Sequence, residues 1–206
     1  MPRAAGKPYC IAIAGGSGSG KSWLTNHLAA RLAATVVALD SYYRDLSALP
    51  LAERAGQNFD APEALDWDLL VPQLETLARG RAIEKPLYDF SVHARTGRSE
   101  RVEPGAFLIV EGLFALYSEP VRALCGAKVF VETAGPVCLS RRIARDVEER
   151  GRTPQSVVAQ YHETVQPMYE KYILPTRAFA DLIVSGEEPV EALAGAVLAR
   201  IGVAAR

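Results

Sequence analysis

The sequence predicts an α/β fold in which a mainly parallel sheet carries helices on both faces, with one small β-hairpin excursion. Three observations lead there. Several short runs are apolar throughout rather than alternating, the pattern of strands buried on both faces. Longer amphipathic stretches separate most of them. A glycine-rich turn joins the first run to the first of those stretches.

In chain order, YCIAIAG (9–15) reads as a buried strand and KSWLTNHLAARLAA (21–34) as the helix after it. TVVALD (35–40) is a β-branched run that stops at an acid, and a helix is expected over about 62–79. Residues 83–105 break the rhythm, because they alternate apolar and polar around the turn signal TGR (96–98) and so predict an antiparallel hairpin. AFLIVEG (106–112), KVFVET (128–133) and DLIVSG (181–186) supply the remaining strands, with helices at about 118–125, 136–150, 154–173 and 189–201. Pro167 falls inside the 154–173 pattern, where its missing N–H and bulky ring should kink or break the helix. Right-handed crossovers between parallel strands put every C-terminal strand end on one edge, where α/β proteins bind ligands.

The bulk composition fits a single domain over 1–206: 206 residues, 49% hydrophobic, 23% charged, formal net charge −1. A near-neutral chain argues against nucleic-acid binding, which favours a strongly basic face. Cys10, Cys125 and Cys138 are far apart, with no CxxC pair, and read as reduced thiols packed as small hydrophobes. The basic start followed by an apolar run resembles a signal peptide, but that run leads straight into the glycine-rich turn. Nowhere do 18 apolar residues come together, so a cytoplasmic protein without membrane attachment is expected.

Gly15-Gly16-Ser17-Gly18-Ser19-Gly20-Lys21-Ser22 satisfies GxxxxGK[ST] between a strand and a helix, the context that makes the pattern a P-loop of the NTPase type. Glycines let backbone N–H groups wrap a polyphosphate, and the following helix N-terminus adds partial positive charge. Lys21 is expected to reach the β- and γ-phosphates of a bound nucleotide, and the Ser22 hydroxyl to sit on Mg²⁺. The guanine-selecting NKxD and the DxxG of switch GTPases are missing, and the length suits a small-molecule kinase. Asp40 and Glu111 close two strands and project from the P-loop edge. Such acids hold Mg²⁺, accept a proton from an attacking hydroxyl, or merely cap a turn, and the spacing leaves these roles open.

Two further segments stand out. PLYDFSVHART (86–96) gathers two aromatics, a histidine and an arginine, which by themselves fit a hairpin whose rings cap the core. Residues 141–152 hold five arginines against Asp146, Glu148 and Glu149. The i,i+4 pairs Arg142–Asp146, Arg145–Glu149 and Asp146–Arg150 are those of a solvated helix face, while forked guanidiniums also clamp phosphates.

GGSGSGKS, LDSYYRDL (39–46), NFDAPEALD (58–66), PLYDFSVHAR (86–95), VEGLFAL (110–116), LSRRIARDVEERGR (139–152), QYHETVQPMYEKYILPT (160–176) and ADLIV (180–184) follow one another in order. On these strings the chain resembles the uridine–cytidine kinase family, related to phosphoribulokinase, over about residues 9–186. The resemblance implies transfer of the ATP or GTP γ-phosphate to the 5′-hydroxyl of uridine or cytidine, with Mg²⁺ as cofactor, in a homotetramer. It makes Asp40 the base and a neighbour of Mg²⁺, and lets Glu111 complete the metal shell with Ser22. It places Tyr43, Asp60, Tyr88, Phe90, His93, Arg142 and Gln160 around the nucleoside, with Asp60 and Arg142 at the ribose hydroxyls. It makes Arg145, Arg150 and Arg152 part of a helical lid, about 141–160, over the triphosphate.

Rings at Tyr88 and Phe90 then box a flat pyrimidine while His93 hydrogen-bonds its edge, although strict alternation puts His93 on the opposite face and demands a bend. Ala61, Glu63 and Leu65 stand where many members have His, Asp and Phe, Glu132 where Asp is common, and SGEEP after DLIV departs from the family's Pro-basic-Gly. Two rivals remain at this level: a kinase of a phosphorylated sugar such as ribulose 5-phosphate, and a regulatory nucleotide-binding module without acceptor chemistry.

Overall fold

The computed structural model describes residues 6–54 and 56–203, and every structural statement refers to these. The chain opens with β1 (Tyr9–Gly15), α1 (Lys21–Leu32) and β2 (Thr35–Ala38), followed by a 3₁₀ turn at Leu39–Tyr42 and the single turn α2 (Leu51–Arg54). A second 3₁₀ turn (Pro62–Ala64) leads into α3 (Trp67–Ala78), the hairpin strands β3 (Ile83–Asp89) and β4 (Ala94–Val102), and β5 (Phe107–Glu111). Then come α4 (Glu119–Leu124), β6 (Ala127–Glu132), α5 (Gly135–Arg150), α6 (Pro154–Gln160), α7 (Gln166–Met168), β7 (Leu182–Ser185) and α8 (Val190–Arg200).

The main sheet has the order β2-β5-β1-β6-β7, and its neighbours all pair in parallel. That is the mainly parallel sheet the apolar runs foretell. Its two faces bury different side chains of the same strand. Ala12 and Ala14 of β1 join a core with α3, α4 and Phe114, whereas Ile11 and Ile13 join Leu24 and Leu28 of α1 and Leu193 and Val197 of α8. Ile11 and Ile13 are fully buried, and such burial contributes about 2 kcal/mol per side chain. The register sets Ile13 and Ala38 on either side of Glu111 and Gly15 beside Val131. The glycine loop, Asp40 and Glu111 therefore gather at one strand edge.

Two local expectations are corrected. The hairpin exists, but its turn is Phe90–His93 and not TGR. The Asp89 carboxylate accepts from the Ser91 N–H (2.8 Å) and hydroxyl (2.6 Å), while His93 takes a left-handed φ of 49°. Tyr88 pairs Arg95 and Pro86 pairs Ser99, so Thr96–Gly97–Arg98 is accommodated as a bulge within β4, with Gly97 at φ 71°. A glycine signal inside a strand was thus a bulge rather than a turn.

Pro167 does not break its helix either. The backbone stays helical from Val165 through Tyr169, and π-helical turns at Tyr161–Val165 and Tyr169–Ile173 flank α7. The wider turns absorb the missing N–H of Pro167, with the Gln166 N–H reaching back five residues to the Tyr161 carbonyl. The three cysteines are buried and unbonded, and burial pushes Cys10 up to about 11 and Cys125 to about 12, far from thiolate reactivity. Among the described residues no helix is long and apolar enough to cross a membrane.

Candidate active site

The phosphate loop owes its shape to glycine. Gly18 (φ 81°) and Gly20 (φ 94°) adopt left-handed backbone, and a Cβ on Gly18 would collide with the Cys138 carbonyl of α5. Gly18→Ala should therefore lower nucleotide affinity and stability together, by about 1–3 kcal/mol in melting and ADP titration. An unchanged melting point and ADP affinity would show that the loop tolerates a side chain there. Lys21 Nζ donates to the Gly16 carbonyl (3.3 Å) and stands 3.9 Å from Glu111 Oε1, which also accepts from Ser22 Oγ at 3.2 Å.

Glu111 is buried at the end of β5. Burial pushes its carboxyl up, Lys21 and the Ser22 hydroxyl pull it back, and the charge of Asp40 pushes it up again. The same pattern holds for Asp60: burial raises it, Arg142 opposes, and Asp40 raises it further. Asp40 itself is exposed, in the 3₁₀ turn two residues beyond the Ala38–Glu111 pair. Three carboxylates thus gather at the strand edge with Lys21, Arg142 and Arg145 as counter-charges. Among the described residues no group of three or more His, Cys, Asp and Glu makes a closed metal cage. Mg²⁺ needs none, since one or two carboxylates plus water and substrate phosphates satisfy it. The Ser22–Glu111 pair beside Asp40 fits that requirement.

An aromatic cluster adjoins the acids. Tyr43 lies at its centre, with ring centroids 5.2 Å from Phe59, 5.5 Å from Tyr88 and 6.5 Å from Phe90. Tyr88 and Phe90 meet at 5.2 Å. The left-handed backbone of His93 supplies the bend that strand alternation demands, and its ring stacks on Phe59 at 5.0 Å and 22°. Burial and then the Arg150 charge hold His93 below its usual range, so the imidazole is neutral at pH 7 and offers one donor and one acceptor. The Tyr88 hydroxyl is buried without a hydrogen-bond partner, and burial pushes it up to about 12. Phe90 is half exposed at the rim.

The arginine segment is a network, not a solvated face. Asp146 of α5 is buried and fully enclosed, and it accepts from Arg145 Nη2 (2.7 Å) and Nε (2.9 Å). Arg142, Arg150 and Arg152 lie 3.6, 3.6 and 3.4 Å from its oxygens. Burial works against the Asp146 anion, but the hydrogen bonds and charges of these arginines win and hold it below the usual carboxylate range. The expected pairs Arg142–Asp146 and Asp146–Arg150 form. Arg145 bonds its neighbour Asp146 in place of Glu149, because a buried anion attracts it more strongly than a solvated one. Arg142 also donates to Ser17 Oγ in the phosphate loop (2.9 Å) and to Gln160 Oε1 (3.1 Å), and faces Asp60 at 3.8 Å. One guanidinium therefore links the phosphate loop, the end of α6 and Asp60.

A cavity of about 510 Å³ opens between Gly16, Ser17 and Ser19 of the loop, the start of α5, and Tyr161 and Tyr169 of the π-helical turns. Asp40, Asp60 and Glu111 do not line it.

A family profile described as Phosphoribulokinase / Uridine kinase family matches residues 10–191. The chain belongs to this family. Within the phosphoribulokinase/uridine kinase family it is 44% identical over 189 residues to a uridine kinase of Ligilactobacillus salivarius, covering 89% of each chain. It is 45% identical over 182 residues to a uridine kinase of Brevibacillus brevis, covering 87% of this chain and 85% of that one. The solved phosphoribulokinase from Rhodobacter spheroides shares the fold at a TM-score of 0.62 and 20% identity, covering 90% of this chain and 75% of that one. As a member of a kinase family the chain is an enzyme that draws its phosphoryl group from a nucleotide.

Three residues that hold this kinase site together carried no assigned role in the sequence. Phe59, next to Asp60, is the stacking partner of His93. Arg95 donates to the Tyr43 carbonyl (3.2 Å) and to Asp66 (2.9 Å), the N-cap of α3, and so pins the hairpin to the floor of the site. Asp146 reads as one end of helix-face pairs, and only its enclosure reveals a hub. Phe59 alone had a usable signal, an aromatic inside the string that supplies Asp60.

Proposed function

We propose that this chain is a pyrimidine ribonucleoside kinase that transfers the γ-phosphate of ATP or GTP to the 5′-hydroxyl of uridine or cytidine, giving UMP or CMP. The observation that carries the reading is the place of Asp40. Its charge bears on Glu111 beside the phosphate loop and on Asp60 and Tyr43 beside the aromatic rings, which supports a place between donor and acceptor. The names of the similar proteins support the same acceptor class.

In this reading the loop N–H groups and Lys21 hold the donor phosphates, with Arg145, Arg150 and Arg152 reaching over them from the lid. Ser22, Glu111 and Asp40 would hold Mg²⁺, which when bound would offset negative charge on the donor phosphates. Asp60 and Arg142 take the ribose hydroxyls, Tyr43, Tyr88 and Phe90 fix the base by its faces, and His93 and Gln160 meet polar edges. Asp40 accepts the 5′-hydroxyl proton as that oxygen attacks the γ-phosphorus and the nucleoside diphosphate leaves in line. Residues 1–206 form one kinase domain in this proposal. It acts in the cytoplasm, and the homotetramer belongs to the proposal through the resemblance alone.

A ribulose 5-phosphate kinase needs a second basic pocket, whereas the acceptor side here is a cluster of aromatic rings. ADP release measured with uridine, cytidine, ribulose 5-phosphate or no acceptor tests the reading. Release driven by a pyrimidine nucleoside is expected, and release driven by the sugar phosphate alone overturns it. His93→Ala should change the uridine-to-cytidine ratio of kcat/KM by about five- to tenfold, the worth of one hydrogen bond, with the KM for ATP unmoved. An unchanged ratio removes His93 from base recognition.

A further inference from the structure

His93 holds its left-handed φ of 49° at the end of the Phe90–His93 turn, a conformation that a residue with a Cβ rarely adopts unaided. Strand pairing does not impose it, because the ladder stops at the Asp89–Ala94 pair. Phe90 and Val92 of the turn are exposed, so core packing does not impose it either. The Asp89 carboxylate secures the first half of the turn by accepting from Ser91. It has no hold on the Val92 carbonyl, since both groups are acceptors.

A guanidinium from outside the hairpin supplies that hold. Arg54, the last residue of α2, donates from Nη1 to the Val92 carbonyl at 3.1 Å. Its Nε and Nη2 donate to the carbonyls of Leu49 (2.8 Å) and Ser47 (2.9 Å). The Val92 carbonyl and the His93 N–H belong to one planar peptide unit, so a bond to that oxygen resists rotation about the φ of His93. The other two bonds tether the guanidinium to the 47–49 loop, and the tip is thereby fixed against a separate segment. Burial and then Asp45 push the Tyr88 hydroxyl up, and the Arg54 charge opposes them, so Arg54 also lies within electrostatic reach of a second ring of the cluster.

We propose that Arg54 is a positioning residue for base recognition, setting the backbone of His93 and through it the imidazole, without touching either substrate. The inference rests on the nucleoside-acceptor reading, under which His93 meets the pyrimidine edge. All three partners of Arg54 are backbone carbonyls, so its fork of donors, more than its charge, is what the role requires.

The chain has three histidines, so the His93 ring signal is assigned in a proton–carbon NMR spectrum by its disappearance in His93→Ala. In the ligand-free protein, Arg54→Ala should move that signal away from the position that stacking on Phe59 gives it, leaving those of His27 and His162 in place. Arg54→Ala should also raise the KM for uridine about tenfold, the factor for one hydrogen bond, with the KM for ATP unmoved. In a His93→Ala background the same change should add no more than about twofold, because both substitutions remove one interaction. Arg54→Lys, which keeps the charge but not the fork, should show the same shift and the same non-additivity in lesser degree, and it serves where Arg54→Ala does not fold. An unmoved His93 signal, or KM effects of the two substitutions that multiply, overturns the proposal. A wild type that phosphorylates neither pyrimidine nucleoside overturns the acceptor reading instead, and the His93 signal still decides whether Arg54 sets that ring.

Discussion

Asp40→Asn should keep the nucleoside bound while turnover falls by about 10²- to 10⁴-fold, the range for loss of a positioned general base. Asparagine preserves shape and an oxygen but has no basic site for the 5′-hydroxyl proton. Asp40 is exposed and stands outside the buried core, so the fold should hold. The Asp40 charge raises the carboxyls of Asp60 and Glu111, so removing it eases their ionisation, and the variant should melt no lower than the wild type. Calorimetry with uridine and ADP release separate the two effects. If Asp40 acted only as a metal ligand, excess Mg²⁺ would restore turnover. Turnover within tenfold of wild type at ordinary Mg²⁺ would remove the residue from the mechanism.

Asp146→Ala should destabilise the protein by about 3 kcal/mol, because deleting one partner of a buried ionic network leaves the others uncompensated. Four arginines converge on this carboxylate, and Arg142 among them is nearly as enclosed as Asp146 itself. For a chain of this size the loss corresponds to a fall in Tm of about 6–12 °C. The lid should also lose its order, raising the KM for ATP through Arg145, Arg150 and Arg152 and for uridine through Arg142. The pH dependence carries a further signature. The folded Asp146 carboxyl titrates below the ordinary value of about 3.9, so its stabilisation is complete above that value. It is lost as the pH falls through the lower folded value. Wild type and variant should therefore converge in stability in strong acid and separate above it. A variant that melts with the wild type at pH 7 would show that the network is not structural.

The layout of the sheet was legible because strands buried on both faces are apolar at every position, and helices between them are long enough to show their period. Glu111 and Asp40 were legible for the same reason: each ends a run whose direction fixes the sheet edge. What escaped was set by geometry that a linear string does not carry. TGR is chemically suited to a turn, yet the Asp89 side chain and left-handed His93 close the hairpin first, and the glycine is left to make a bulge. Pro167 lacks an N–H wherever it stands, but π-helical turns on either side make that loss harmless. Asp146 has the i,i+4 spacing of any surface pair, and enclosure by four arginines alone makes it a hub.

The central claim is that the strand edge delivers a phosphoryl group to the 5′-oxygen of a pyrimidine nucleoside beside Asp40. The most direct measurement compares ADP formation with uridine and with 5′-deoxyuridine, which keeps the base and both ring hydroxyls but lacks the attacking oxygen. Uridine should be turned over, while 5′-deoxyuridine should compete with it and release no ADP above the acceptor-free blank. ADP formed at equal rates with both nucleosides would contradict the account.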